Sequence, residues 1–161
     1  MALQKDRNPR RIAVVGAGTS GYLSVLYFCT KYPEYNIEWI YPKDNNPIGV
    51  GEGTVPDVLD FFNDMGITIE DIVTNIGGSL KLGVKFEQFY KQDYFHPFGK
   101  TDDDAAALEF VMQNNKIPDN ITSYNDIAAH FSVANLAKFL DKWFNKFNNL
   151  KITRKLITNK D

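Results

Sequence analysis

The sequence has few of the residues that would build a disulfide framework, a metal site or a membrane span. Its 161 residues include one cysteine, Cys29, which excludes an internal disulfide. Cys29 lies in an apolar helical stretch, so we expect a buried, unreactive thiol. The only histidines, His96 and His130, lack neighbouring cysteines and HxxxH-type spacing, so no metal site is predicted. No apolar run approaches the ~20 residues needed to span a bilayer.

Neither sign of charge dominates the chain. Lysine and arginine number 18 and aspartate and glutamate 20, giving a net charge of −2. This balance argues against nucleic acid or an anionic membrane as a partner. Residues 1–10 form a polar lead without the apolar core of a signal peptide, so a cytoplasmic protein is expected. Hydrophobic residues make up 43% of the chain, as in an ordinary globular domain.

The first elements follow the order of a nucleotide-binding α/β fold. An apolar, β-branched run at Arg11–Val15 predicts a buried parallel strand. A helix over Thr19–Lys31 and a strand over Ile37–Tyr41 follow, and Lys151–Thr158 is a final strand candidate. Strand, helix and strand in this order indicate a βαβ unit.

The middle of the chain adds further elements. Thr54 can cap a helix, Pro56 suits its first turn, and Gly66 can end it. Clean alternation of apolar and polar residues predicts one strand over Ser79–Glu87, with Lys81 and Lys85 on its polar face. The pattern also predicts a loop over Tyr90–Lys100, a helix over Asp103–Asn114, and a long helix capped by Ser132 that runs to about Asn148.

A glycine-rich turn between the first strand and helix is the main binding motif. It has the GxGxxG spacing and consists of Gly16, Ala17, Gly18, Thr19, Ser20 and Gly21. These glycines allow a tight turn, close approach of a pyrophosphate and close helix–strand packing, so dinucleotide binding is predicted. The acid expected about 20 residues further on, to bind the ribose, is replaced by Tyr41. Either the Tyr41 hydroxyl or Asp44 could serve instead.

A second glycine segment, Gly49–Pro56, goes beyond what a plain dinucleotide site needs. Its glycines let the backbone pass close to a flat ligand. The residues predicted to contact the cofactor here are Val50, Gly51, Glu52 and Gly53. Glu52 could interact with the ligand or fix its own loop.

Five pieces, in this order, resemble the flavin-dependent tryptophan halogenases. They are the GxGxxG turn, GVGEGTVP at 49–56, SLKLGVKF at 79–86, HPFG at 96–99, and HFS at 130–132 leading into LAKFL at 136–140. The resemblance covers nearly all of residues 11–158. It implies a Rossmann-like, glutathione-reductase-type FAD-binding domain with inserted strands.

The same resemblance implies a reaction and its participants. FAD would be reduced by a separate flavin reductase, acting as a transient partner, and oxygen and halide would then yield hypohalous acid. Lys81 matches the lysine that relays this acid to a small aromatic substrate such as an indole. The sequence leaves open whether its amine donates a hydrogen bond or, once neutral, forms a haloamine. Lys85 is interpreted as structural, and His96, Pro97 and Phe98 as candidates for the substrate pocket.

Residues 11–161 are expected to form the N-terminal, FAD-binding part of such a halogenase, incomplete as a fold. The WxWxIP motif of the family and its later glutamate do not occur in this sequence. Two alternatives stay open: a flavin monooxygenase that hydroxylates, and a flavin-binding module without catalysis. Association into a homo-oligomer also stays open.

Overall fold

The computed structural model describes residues 10–44, 49, 51–89, 92–98 and 127–158, with the backbone alone at 89 and 92–97. These residues belong to two compact units: Met1–Gly49 with Ala137–Asp161, and Val50–Leu136. Val50 and the helix expected over Asp103–Asn114 lie outside the described residues. Among the described helices, none is long and apolar enough to cross a membrane.

The elements of the described residues are numbered in chain order. The strands are β1 (Arg11–Val15), β2 (Asn36–Tyr41), β3 (Glu52–Gly53), β4 (Ser79–Lys81), β5 (Gly83–Phe89), β6 (Gln92–Pro97), β7 (Ala128–Phe131) and β8 (Leu150–Arg154). The helices are α1 (Thr19–Lys31), α2 (Pro56–Asp64), a π-helical turn (Asp71–Asn75) and α3 (Val133–Phe144).

The first unit contains a parallel three-stranded sheet in the order β1-β2-β8. α1 joins β1 to β2, so the predicted strand–helix–strand order and the α/β fold class are confirmed. The last strand is also confirmed, although it ends at Arg154 and not at Thr158. The parallel pairing places the carboxyl ends of all three strands at the same edge of the sheet. Open α/β sheets bind their ligands at this carboxyl edge.

Trp39, in the middle of β2, is the centre of the first unit's core. Its side chain is fully buried, and its ring centroid lies 4.7 Å from that of Tyr22 and 5.5 Å from that of Phe144. Cys29, on α1, is also buried, and burial raises the pKa of its thiol to about 12. The expected burial of this thiol is therefore confirmed, and its low reactivity stays a prediction. Truncating a core tryptophan costs about 3–5 kcal/mol, so Trp39 fixes the position of β2 strongly.

The second unit is built around β7, which lies between β3 and β4 in an antiparallel sheet. α2 packs on this sheet, where the ring centroids of Phe62 and Phe131 are 5.9 Å apart. β5 and β6 form a separate antiparallel pair. The strand β7 was not predicted from the sequence.

Two predictions in this unit are wrong. The single strand expected over Ser79–Glu87 is interrupted at Leu82, and its halves β4 and β5 pair in different sheets. The loop expected over Tyr90–Lys100 contains β6, which pairs with β5. Alternation reports the two faces of a strand but not its partners, and here β7 pairs with the first half while β6 pairs with the second.

The helix ends follow local rules more closely. Gly66 has a φ of +81° just after α2, the left-handed conformation that ends many helices. The Ser132 hydroxyl accepts a long hydrogen bond of 3.4 Å from Asn135 N at the start of α3, which supports the predicted cap. α3 ends at Phe144, earlier than the expected Asn148.

Candidate functional site

The glycine turn after β1 is fixed to β2 by two hydrogen bonds. Gly16 N donates to Ile40 O at 2.8 Å, and the Trp39 indole Nε1 donates to Gly16 O at 2.8 Å. Gly16 has a φ of +100°, a conformation that side chains disfavour. The core tryptophan thus holds the first glycine of the motif in place.

Gly18 and Gly21 have different surroundings. A Cβ built on Gly21 would lie 2.2 Å from Gly16 O, so no side chain fits there. A Cβ on Gly18 would meet nothing within 4 Å, so the space beside it is open. Gly21 therefore serves the packing of helix on strand, and Gly18 leaves room for a ligand.

The start of α1 suits an anionic ligand. Gly18 is its N-cap residue, and no side chain caps this helix end by a hydrogen bond. A helix N-terminus presents backbone N–H groups and partial positive charge, which attract phosphate. Ala17 is buried beneath the turn, whereas Thr19 and Ser20 form the first turn of the helix. The residues present fit the pyrophosphate of a dinucleotide.

Tyr41, at the end of β2, is a core residue. It is 4% exposed, and its ring centroid lies 4.4 Å from that of Trp39. Burial raises the pKa of its hydroxyl, although Arg154 opposes this shift. The Arg154 guanidinium carbon lies 5.0 Å from the centre of the Tyr41 ring. A contribution of Tyr41 to cofactor binding stays a prediction.

Two residues of the second glycine segment, Glu52 and Gly53, form strand β3 of the antiparallel sheet. In β3, Glu52 pairs with Phe131 of β7 and Gly53 pairs with His130. A Cβ on Gly53 would lie 3.0 Å from the His130 ring, so a side chain there would have to displace the imidazole. An open cavity of about 350 Å³ is lined by Gly51, Glu52, Gly53, His130, Phe131 and Ser132. Cofactor contact by this segment stays a prediction.

Thr54 does not cap α2 as the sequence suggested, because Val55 is the N-cap residue. The Thr54 hydroxyl is buried and bonds across to β7 instead. It donates to Ala129 O at 3.0 Å and accepts from Ala129 N at 2.9 Å. Pro56 occupies the first turn of α2, as predicted.

Lys81 is joined to the glycine segment through Thr54. Its Nζ donates a hydrogen bond to Thr54 O at 3.1 Å, and the same atom lies 5.1 Å from the centre of the Phe98 ring. A carbonyl oxygen and an aromatic face are both partners of an ammonium group. The amine has three N–H donors, so the bond to Thr54 leaves capacity for a second acceptor.

Lys85 differs from Lys81 in strand and in exposure. It lies on β5, and its Nζ forms an ion pair of 2.8 Å with Glu87, with both side chains more than half exposed. Such surface pairs contribute little to stability. Its interpretation as a structural residue stays a prediction.

Of the two histidines, the structure describes the side chain of His130 but only the backbone of His96. In the part of the chain that the structure describes, no group of three His, Cys, Asp or Glu side chains could hold a metal ion. The backbone of His96 pairs with Val84, and that of Pro97 with Gly83. Their contribution to a substrate pocket stays a prediction.

Two features of these sites were not predicted from the sequence. The Thr54 carbonyl was not foreseen as the partner of Lys81, because β7 brings the two together only after folding. Arg154 was not singled out either. It lies within the predicted strand Lys151–Thr158 and ends β8 at the carboxyl edge of a parallel sheet, and this placement could have drawn attention to it.

Comparison with known proteins identifies the family of the chain. A family profile described as tryptophan halogenase matches residues 11–151. Tryptophan 6-halogenase SttH of Streptomyces toxytricini is 27% identical over 113 residues, covering 67% of this chain and 22% of its own length. 7-Chloro-L-tryptophan 6-halogenase KtzR of Kutzneria sp. is 28% identical over 90 residues, 54% of this chain and 17% of that protein.

Solved structures show the same fold. Xcc4156, a flavin-dependent halogenase from Xanthomonas campestris, matches with a TM-score of 0.73 at 20% identity, over 94% of this chain and 36% of that one. The chain thus spans about a fifth of the length of these curated relatives and about a third of that structure. Because the profile match covers most of its residues, the chain belongs to the tryptophan halogenase family.

Proposed function

We propose that this chain carries the dinucleotide turn and the relay lysine of an FAD-dependent halogenase. The substrate would be an electron-rich aromatic ring of the indole or tryptophan type. Membership of the tryptophan halogenase family supports this class of reaction. FAD, reduced by a separate reductase and supplied with oxygen and halide, would provide hypohalous acid.

The observation that carries the proposal is the hydrogen bond from Lys81 Nζ to Thr54 O. Thr54 belongs to the second glycine segment, Gly49–Pro56, which the family resemblance associates with the cofactor. The bond fixes the position of the amine with one of its N–H groups and leaves the others free to donate to a ligand. Lys81 is therefore held and directed, unlike Lys85 on the surface.

The role assigned to Lys81 is that of a hydrogen-bond donor. Its ammonium group would donate to the oxygen of hypohalous acid and make the halogen more electrophilic. The ring would then take the halogen and lose a proton, while the remaining oxygen leaves as water. The contacts of Lys81 with the Thr54 carbonyl and the Phe98 ring are the basis for assigning it the role of a donor, with haloamine formation as the alternative.

Two further roles complete the proposal. Gly16 to Gly21 would hold the cofactor pyrophosphate, with Gly18 giving it room. Phe98, beside the Lys81 amine, would form an aromatic wall next to the substrate.

The test compares Lys81→Ala with Lys85→Ala, a matched loss of one lysine from the neighbouring strand. The chain would be supplied with FAD, a flavin reductase, NADH, halide, oxygen and tryptophan, and products would be separated by mass. We expect Lys81→Ala to lower the rate of halogenation by roughly 100-fold or more, the scale of a lost positioned donor. Lys85→Ala should stay close to the wild-type rate.

Flavin titration of the same variants separates the alternatives. Unchanged flavin affinity together with unchanged halogenation in Lys81→Ala would contradict the role of this lysine. A product heavier by one oxygen atom and lacking halogen would indicate a monooxygenase. Flavin binding by the wild-type chain without any product would indicate a binding module.

A further inference from the structure

The carboxyl edge of the parallel sheet places an arginine where a carboxylate would be expected. Tyr41 ends β2 and pairs in register with Arg154, which ends β8. The ladder continues one residue further, since Lys155 N donates to Tyr41 O at 2.8 Å. The exposed Arg154 side chain lies over the Tyr41 ring, with its guanidinium carbon 5.0 Å from the ring centre.

The nearest acid on β2 is engaged elsewhere. Glu38 lies on the opposite face of the strand from Tyr41, because successive side chains alternate. Its carboxylate accepts a hydrogen bond of 2.9 Å from Lys151 and one of 2.6 Å from Thr153. Asp44 is exposed beyond the end of the strand. No carboxylate of β2 therefore occupies the place where a dinucleotide fold normally binds the ribose hydroxyls.

This edge also carries the glycine turn. β1 leads directly into Gly16, whose N–H is bonded to Ile40 of β2. Adjacent strands lie about 4.8 Å apart, so β8 is only about 10 Å from β1. A dinucleotide held at the turn by its pyrophosphate would extend its adenosine across the end of β2 towards β8.

We infer that Arg154 binds the adenosine ribose of the cofactor, in place of the missing carboxylate; this inference rests on the proposed function. Its guanidinium offers N–H donors to the ribose hydroxyl oxygens. An acid at this place repels a phosphate on the ribose 2′ oxygen, whereas an arginine attracts it. The site is therefore expected to prefer a 2′-phosphorylated adenosine to the plain nucleotide.

The experiment measures binding by isothermal titration calorimetry, using FAD, AMP and adenosine 2′,5′-bisphosphate as ligands. The last two differ only in the 2′-phosphate. In the wild-type chain, the bisphosphate should bind about tenfold more tightly than AMP, as expected for one charge-assisted hydrogen bond. Arg154→Ala should abolish this preference and weaken FAD binding about tenfold.

Matched variants separate this role from a general effect. Lys151→Ala removes a positive charge from the same strand but from its opposite face, and should keep the bisphosphate preference. Arg154→Lys keeps the positive charge but lacks the paired N–H donors of the guanidinium, so it should retain part of the preference for the bisphosphate. Circular dichroism and Tm identify any variant that fails to fold, and Arg154→Gln, with its longer stem, then replaces Arg154→Ala.

The results distinguish this inference from the proposed function. A wild-type chain that binds FAD as tightly as Arg154→Ala, or that prefers AMP to the bisphosphate, overturns the role of Arg154 alone. A wild-type chain that binds neither FAD nor the adenosine nucleotides contradicts the FAD site as well.

Discussion

At the scale of single residues, Gly18 and Gly21 separate binding from folding. Both belong to one motif, yet an added methyl group meets open space at Gly18 and a backbone oxygen at 2.2 Å at Gly21. We expect Gly21→Ala to destabilise the fold by about 1–3 kcal/mol, the usual cost of overpacking. Gly18→Ala should leave Tm nearly unchanged and weaken FAD binding, because the methyl group takes the space of the ligand.

Thermal melts and flavin titrations of the two variants, side by side, check this prediction. Equal losses of Tm would show that Gly18 also serves packing. Unchanged FAD affinity in Gly18→Ala would remove this residue from the binding site.

The conformation and binding role of the glycine turn could be predicted from the sequence, but the hydrogen-bond partner of Lys81 could not. The turn depends on neighbours within six positions, and a strand before it and a helix after it complete the signal. The bond between Lys81 and Thr54 depends on β7, which enters between β3 and β4 from far along the chain. Long-range pairing of this kind leaves no local pattern, so only the family resemblance pointed to Lys81.

At the scale of elements, the β2–β8 pair should make stability depend on pH in the acid range. Hydrogen bonds from Lys151 and Thr153 lower the pKa of Glu38 in the folded protein. An unfolded glutamate titrates near pH 4.3, so the stabilisation is present above about pH 4.3 and is lost as the pH falls through the lower folded value. Tm of the wild type should therefore fall more steeply with acid than Tm of Glu38→Gln.

Glu87→Gln is the matched control, since Glu87 forms an ion pair with Lys85 on the surface. Its acid profile should resemble that of the wild type, as exposed pairs contribute little. If Tm fell equally steeply with acid in the wild type and in Glu38→Gln, Glu38 would be excluded as the group responsible.

Elements of the first unit were predicted better than those of the second. α1 has the predicted bounds because its strand, glycine turn and apolar face are all local signals. The alternating run over Ser79–Glu87 correctly predicted extended conformation, but it predicted one continuous strand where the structure has two, in different sheets. Gly83, which weakens a strand, lies where the chain passes from one sheet to the next.

At the scale of the whole molecule, the charge balance predicts weak dependence of FAD binding on salt. The net charge of −2 gives no general attraction for an anionic cofactor, so affinity rests on short contacts at the turn. Between ~50 mM and ~300 mM sodium chloride, we expect the Kd for FAD to change by less than about threefold.

Flavin fluorescence titrations over a series of salt concentrations measure this. A fall in affinity of several orders of magnitude, as nucleic-acid-binding proteins show, would indicate that a broad field and not local geometry binds the cofactor.

The hydrogen bond from Lys81 to Thr54 limits how mutations can move the amine of this lysine. Its acceptor is a main-chain oxygen, which every amino acid possesses. A substitution at position 54 can therefore loosen the strand but cannot delete the acceptor itself. Moving the amine towards a different substrate position would require a shift of strand register or a change of length in the glycine segment. In directed evolution, insertions and deletions around residues 49–56 are thus better suited to re-aiming Lys81 than point mutations are.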